Sequence, residues 1–158
     1  MDYSIPSDVT ILENDSGILN RIYVGDTGGN VWRLDIPPGS CASPCVDQRS
    51  NWFASRLADL SDGADIRFFH APEGVEVKDE TTGTFFDGVL IQGGNRADPL
   101  NNRFNAVQNY LYYMRDYEVV SGASTVIDGT PSVSEVPRYV ATDLIDRTEC
   151  IDPNQPEV

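Results

Sequence analysis

The stretch from Arg21 to Asp35 restricts the fold more than any other part of the chain. Arg21-Ile22-Tyr23-Val24-Gly25 and Val31-Trp32-Arg33-Leu34-Asp35-Ile36 are rich in β-branched and aromatic residues and alternate in polarity, and Asp26-Thr27-Gly28-Gly29-Asn30 lies between them. Two alternating segments flanking glycines that tolerate positive φ make a tight β-hairpin. Gly25, Asp26, Gly28, Gly29, Asn30 and Trp32 are therefore expected to be its structural determinants.

Beyond the hairpin, helical periodicity is almost absent. A Pro-, Gly-, Ser- and Cys-rich loop insertion over residues 37–50 is followed by a structured segment, Asn51 to Ala58. Further strands are expected at Arg67 to Ala71, Val75 to Lys78, Phe86 to Gln92 and Tyr110 to Arg115, with late ones near Ser124 to Ile127 and Tyr139 to Thr142. Two turn-rich segments, Tyr23 to Asn30 and Leu90 to Arg96, each follow an apolar strand, as in a repeated unit. The pattern is all-β and suits a sandwich or a propeller with antiparallel blades and long inter-strand loops. The chain has too few strands to close a propeller, so it is expected to form a propeller fragment with an open edge. Residues 1–158 are read as one unit with a tail at 149–158.

Charge narrows the partners. Twenty-five acidic residues against 11 basic ones give a formal net charge of −14. Nucleic acid and anionic membranes repel such a chain, which excludes both as natural partners. No apolar run reaches the ~20 residues of a membrane-spanning helix, and Met1-Asp2-Tyr3-Ser4-Ile5-Pro6 lacks the features of a secretory signal. The start reads as mid-domain sequence, so an excised fragment is expected. Of the three cysteines, Cys41 and Cys45 enclose Ala42-Ser43-Pro44. A small disulfide-closed loop is preferred over zinc, since three thiols and the lone His70 match no familiar zinc spacing. Cys150 would then be free or paired outside the chain, in an oxidising compartment.

The hairpin resembles the signature hairpin in the C-terminal β-propeller of the PilY1/PilC family of type IV pilus tip proteins. A second segment, Phe86-Asp87-Gly88-Val89-Leu90-Ile91-Gln92-Gly93-Gly94-Asn95-Arg96, followed by Ala97-Asp98-Pro99-Leu100 and later Tyr112-Tyr113-Met114-Arg115-Asp116, is similar to a later blade of the same domain. The likeness runs over roughly residues 5–148. It implies a non-enzymatic extracellular module at or near the pilus tip, acting in pilus assembly, retraction control and adhesion. Its partners would be other tip proteins or minor pilins, and a host or surface receptor.

The resemblance also implies a calcium loop ahead of the Arg21 strand, with ligands at alternate positions. Those positions hold Leu12, Asn14, Ser16, Ile18 and Asn20. Asn14, Ser16 and Asn20 offer neutral oxygens and Ile18 a carbonyl, so the site is a degenerate one without charged ligands. Glu13 and Asp15 would contribute only after a shift in register. The alternative is a plain turn at Asn14-Asp15-Ser16-Gly17.

Other chemistry is weaker. His70 has no triad partner in sequence and reads as structural. The pairs Asp59/Asp62 and Asp79/Glu80 read as solvated surface. A quinoprotein-like propeller enzyme is the enzymatic alternative, but Cys41 and Cys45 are not the adjacent pair on which that cofactor stacks. Trp32, Trp52, Tyr110, Tyr112 and Tyr113 would form the face of a carbohydrate-binding adhesion domain if they converged; packing between blades is the preferred reading. The turn on the Asp35 side and the Thr81 to Thr84 loop are expected to be exposed.

Overall fold

The computed structural model describes residues 2–13, 17–36, 52–61, 66–94, 110–117, 132–134 and 138–144. Four strands, β1 (Thr10–Glu13), β2 (Leu19–Gly25), β3 (Asn30–Asp35) and β4 (Phe53–Asp59), form an antiparallel meander. The β2–β3 register pairs Arg21 with Asp35, Tyr23 with Arg33 and Gly25 with Val31. Directly paired residues point to the same side of a sheet, so this row of side chains shares one face. The opposite face carries an apolar row, Ile11, Ile22, Leu34 and Ala54, each paired with the next across all four strands.

The β2–β3 turn is a three-residue loop closed by the Asp26 N–H donating to the Asn30 carbonyl at 2.9 Å. Such a loop needs one left-handed residue, and Gly29 occupies it with φ +81°. Gly28 serves differently: it lies beneath the Tyr3 ring, where a Cβ would clash with ring carbons.

A second antiparallel sheet contains β5 (Glu73–Lys78), β6 (Phe85–Gln92) and β7 (Leu111–Asp116). The β5–β6 turn is held by Asp79, whose carboxylate accepts from the N–H groups of Thr81 at 2.8 Å and Thr82 at 3.1 Å. Those bonds hold its carboxyl below the usual carboxylate range. Residues Thr81 to Thr84 are exposed; Asp35 itself is buried at the end of β3, and the turn on its side lies outside the described residues from residue 37 onward. Arg33 takes up Asp35 in an internal ion pair.

Not every pairing is antiparallel. β8 (Ser132–Ser134) and β9 (Tyr139–Val140) both run parallel to β4, one along each half of its edge. The Arg138 N–H bonds to the Leu57 carbonyl at 3.1 Å between them, so two short strands cover an edge that would otherwise be open to pairing. A single 3-10 turn, Ala141–Asp143, follows β9 and replaces the end of the strand expected up to Thr142. The expected strand near Ser124 to Ile127 and the cysteines Cys41, Cys45 and Cys150 lie outside the described residues.

The expected strand at Arg67 to Ala71 is absent for a physical reason. Its backbone bonds alternate between sheets: the Phe68 N–H donates to the Asp26 carbonyl at 3.1 Å in the first, and the Arg67 carbonyl accepts from Gly94 at 2.9 Å in the second. No continuous ladder forms, yet Ile66 and Phe68 are buried in the core. That core lies between the sheets, with Tyr23, Val31 and Leu57 from one side and Val89, Ile91 and Met114 from the other. The Phe68 ring meets Tyr112 edge-on with centroids 6.0 Å apart. Gly25 makes the close approach possible, because a Cβ there would lie 2.5 Å from the Phe68 Cβ and 2.8 Å from the Ile91 methyl.

Candidate functional site

Two polar assemblies are built on this frame. The first is the hairpin end. Asp26, only 1% exposed, accepts four donors from its own turn and strand. Its Oδ1 takes the N–H groups of Gly28 at 2.8 Å and Asn30 at 3.0 Å, while Oδ2 takes the Trp32 indole Nε1 at 2.8 Å. The Asn30 amide reaches both oxygens at 3.0 Å. A buried carboxylate is costly unless its lone pairs are filled, and here neutral donors fill them. Arg56 completes the outer side, donating to Asn30 Oδ1 at 3.1 Å, pairing with Asp59 at 3.2 Å and lying over the Trp32 ring. Gly25, Asp26, Gly28, Gly29, Asn30 and Trp32 thus come together at one end of the first sheet.

The second assembly lies between the sheets and was not singled out in the sequence. Arg21 pairs with Asp87 at 2.5 Å and with Glu76 at 3.3 Å. Arg33 pairs with Asp35 at 2.5 Å and with Asp116 at 2.6 Å, and Arg138 reaches Asp116 at 2.9 Å. The Tyr23 hydroxyl sits between Asp87 and Asp116, 2.7 Å from Asp87 Oδ2 and 2.9 Å from Asp116 Oδ2. Burial pushes the Asp35 and Asp87 carboxyls upward, against the pull of their arginines. Burial, with Asp116 beside it, raises the Tyr23 hydroxyl as well. The Arg33 guanidinium is disfavoured by burial but is held protonated by Asp116 and Asp35. A signal existed: Arg21, Arg33 and Asp35 fall at the same strand parity as Tyr23, and Asp87 interrupts an apolar run. Charges on a core-facing parity imply partners across the core.

The implied calcium loop is only partly within the described residues, since Asn14 and Ser16 fall outside them. Leu12 belongs to β1 and packs against the core. Ile18 is exposed. The Asn20 carbonyl accepts from the Ile36 N–H at 2.7 Å, whereas its side-chain Oδ1 is buried without a hydrogen-bond partner among the described residues. Those residues contain no group of three or more His, Cys, Asp or Glu side chains placed to hold a metal. Of the five aromatic residues, Tyr110 and Tyr112 pack together with ring centroids 5.8 Å apart, but the five do not share one face. Trp32 lies on the face opposite Tyr23 and Arg33, Tyr112 packs toward the core, and Tyr113, 47% exposed, points the other way from its neighbour. Trp52 and Tyr110 are half-buried, and His70 is exposed.

No protein-family model matches the chain, and no curated protein matches it. Among solved structures it is similar to the C-terminal domain of PilY1 from Pseudomonas aeruginosa, with a TM-score of 0.53 and 22% identity. The fold is PilY1-like. The likeness covers 80% of this chain and 28% of that one, so the chain spans little more than a quarter of the PilY1 domain's length. The all-β architecture agrees with this, although the strands described here close no propeller.

Proposed function

We propose that this chain is part of the propeller body of a type IV pilus tip protein, a binding and assembly module without catalytic chemistry. The observation that carries the reading is the PilY1-like fold. A second feature supports it: the sheets are apolar on the face turned away from the core as well as on the core side. Ile11 on the first sheet and Val75 and Leu111 on the second are more than half exposed. Sheets with two apolar faces suit the interior positions of a propeller, where each blade is covered by its neighbours.

In this reading the module acts outside the cell, at the pilus tip, in assembly, retraction control and adhesion. Its partners are other tip proteins or minor pilins and a surface receptor. A calcium contribution would come from Asn14, Ser16, Ile18 and Asn20, as a weak site of neutral oxygens.

The experiment is deletion of the gene in the organism that carries it, with pilin sheared from the cell surface quantified and twitching motility scored. Loss of both, restored by the intact gene, is the expected result. Unchanged surface pili and motility would refute the assignment.

A further inference from the structure

The Tyr23 hydroxyl has one proton and faces two carboxylates at hydrogen-bond distance. It donates to one of them only. If both acids were ionised, the second contact would set an oxygen lone pair against a carboxylate in a site where all three side chains are almost fully buried. A second proton removes the conflict, by letting one acid donate to the phenol oxygen while the phenol donates to the other.

The surrounding charges identify the acid. Asp116 is approached by two guanidinium groups, Arg33 on Oδ2 and Arg138 on Oδ1. Asp87 has only Arg21, which it shares with Glu76. Asp35, from β3, pairs with Arg33. Among the described residues, the charged groups facing this centre are the guanidinium groups of Arg21, Arg33 and Arg138 and the carboxylates of Asp35, Glu76, Asp87 and Asp116, with the phenol between them.

We propose that Asp87, Tyr23 and Asp116 form a buried proton-sharing latch between the two sheets, in which Asp87 takes up a proton from solvent under mildly acidic conditions. In the protonated state Asp87 Oδ2 donates to the Tyr23 oxygen, and the Tyr23 hydroxyl donates to Asp116, which stays ionised against Arg33 and Arg138. The upward push of burial on the Asp87 carboxyl acts in the same direction. A carboxyl raised in the folded state stabilises that state below its ordinary range, and the contribution is lost as pH rises through the raised value. Across that window the folding equilibrium constant falls by up to about tenfold per pH unit for the one proton released.

The test follows the side-chain carboxyl carbons of Asp87 and Asp116 by NMR in the whole 13C-labelled chain, from pH 8 downward. Asp87 is expected to titrate above the ordinary aspartate range. Asp116→Asn removes the competing charge, so the Asp87 midpoint should move down. If both carbons keep ionised shifts down to the ordinary aspartate range, the latch does not exist. A high midpoint at Asp116 instead of Asp87 would overturn the assignment.

Discussion

Replacing Asp26 by alanine isolates what the hairpin end contributes. The substitution leaves the Trp32 indole N–H, the Asn30 backbone N–H and the Asn30 side-chain amide, all in buried residues, without the oxygens they reach at 2.8, 3.0 and 3.0 Å. A buried donor stripped of its acceptor costs about 1–3 kcal/mol, so three such donors cost roughly 3–9 kcal/mol. The Gly28 N–H, nearer solvent, adds less. Against a typical domain stability of about 5–15 kcal/mol, this is a large fraction. The assay is urea denaturation followed by Trp fluorescence, comparing Asp26→Ala with Trp32→Phe. Trp32→Phe removes one donor and keeps most of the ring volume, leaving Asp26 with its other partners. Its cost should be about 1–2 kcal/mol, near that of one buried hydrogen bond, with Tyr emission and circular dichroism as probes. If Asp26→Ala costs less than about 1 kcal/mol, the carboxylate does not organise the turn and the hydrogen-bond reasoning fails.

Gly25→Ala should lower stability by about 1–3 kcal/mol through overpacking against Phe68 and Ile91, read as a lower melting temperature. Phe68→Ala should cost about 3–5 kcal/mol, because the ring is fully buried between the sheets; a near-neutral result would mean the core is not shared. Gly29→Ala should destabilise by about 1–2 kcal/mol, since its φ of +81° disfavours a Cβ, and should do so without changing the denaturant slope. Millimolar calcium against excess chelator should leave the melting temperature nearly unchanged, because the loop lacks charged ligands and Leu12 is packed in the core; a clear upward shift lost in Asn20→Ala would show a working site.

Much of the architecture was legible because strand propensity and turn chemistry coincide. Asp26 to Asn30 marks the hairpin, and the β-branched and aromatic segments near Phe53, Phe86 and Tyr112 became β4, β6 and β7. The short strands β1 and β8 carry no such signature. Thr10–Glu13 has two adjacent apolar residues rather than an alternation and Ser132–Ser134 a single one, and both owe their pairing to a neighbouring edge. Arg67 to Ala71 has strand composition but divides its backbone bonds between two sheets, which no local pattern encodes. The same holds for the latch, where Tyr23 is joined to Asp87 and Asp116, 64 and 93 residues further along the chain. Their types were visible, but their convergence depends on how the second sheet stacks on the first.

The crossing segment at Ile66 to Phe68 bears on how such a molecule tolerates change. In a simple repeat array each unit carries its own complete hydrogen bonding, so units can be duplicated, deleted or exchanged one at a time. Here the connector bonds to the hairpin of one sheet and the end of a strand in the other, and supplies a ring to their common core. Neither sheet can be copied or excised without leaving the other short of a partner. Extra residues should therefore accumulate at places such as the exposed Thr81 to Thr84 turn, while the length of the connector stays fixed.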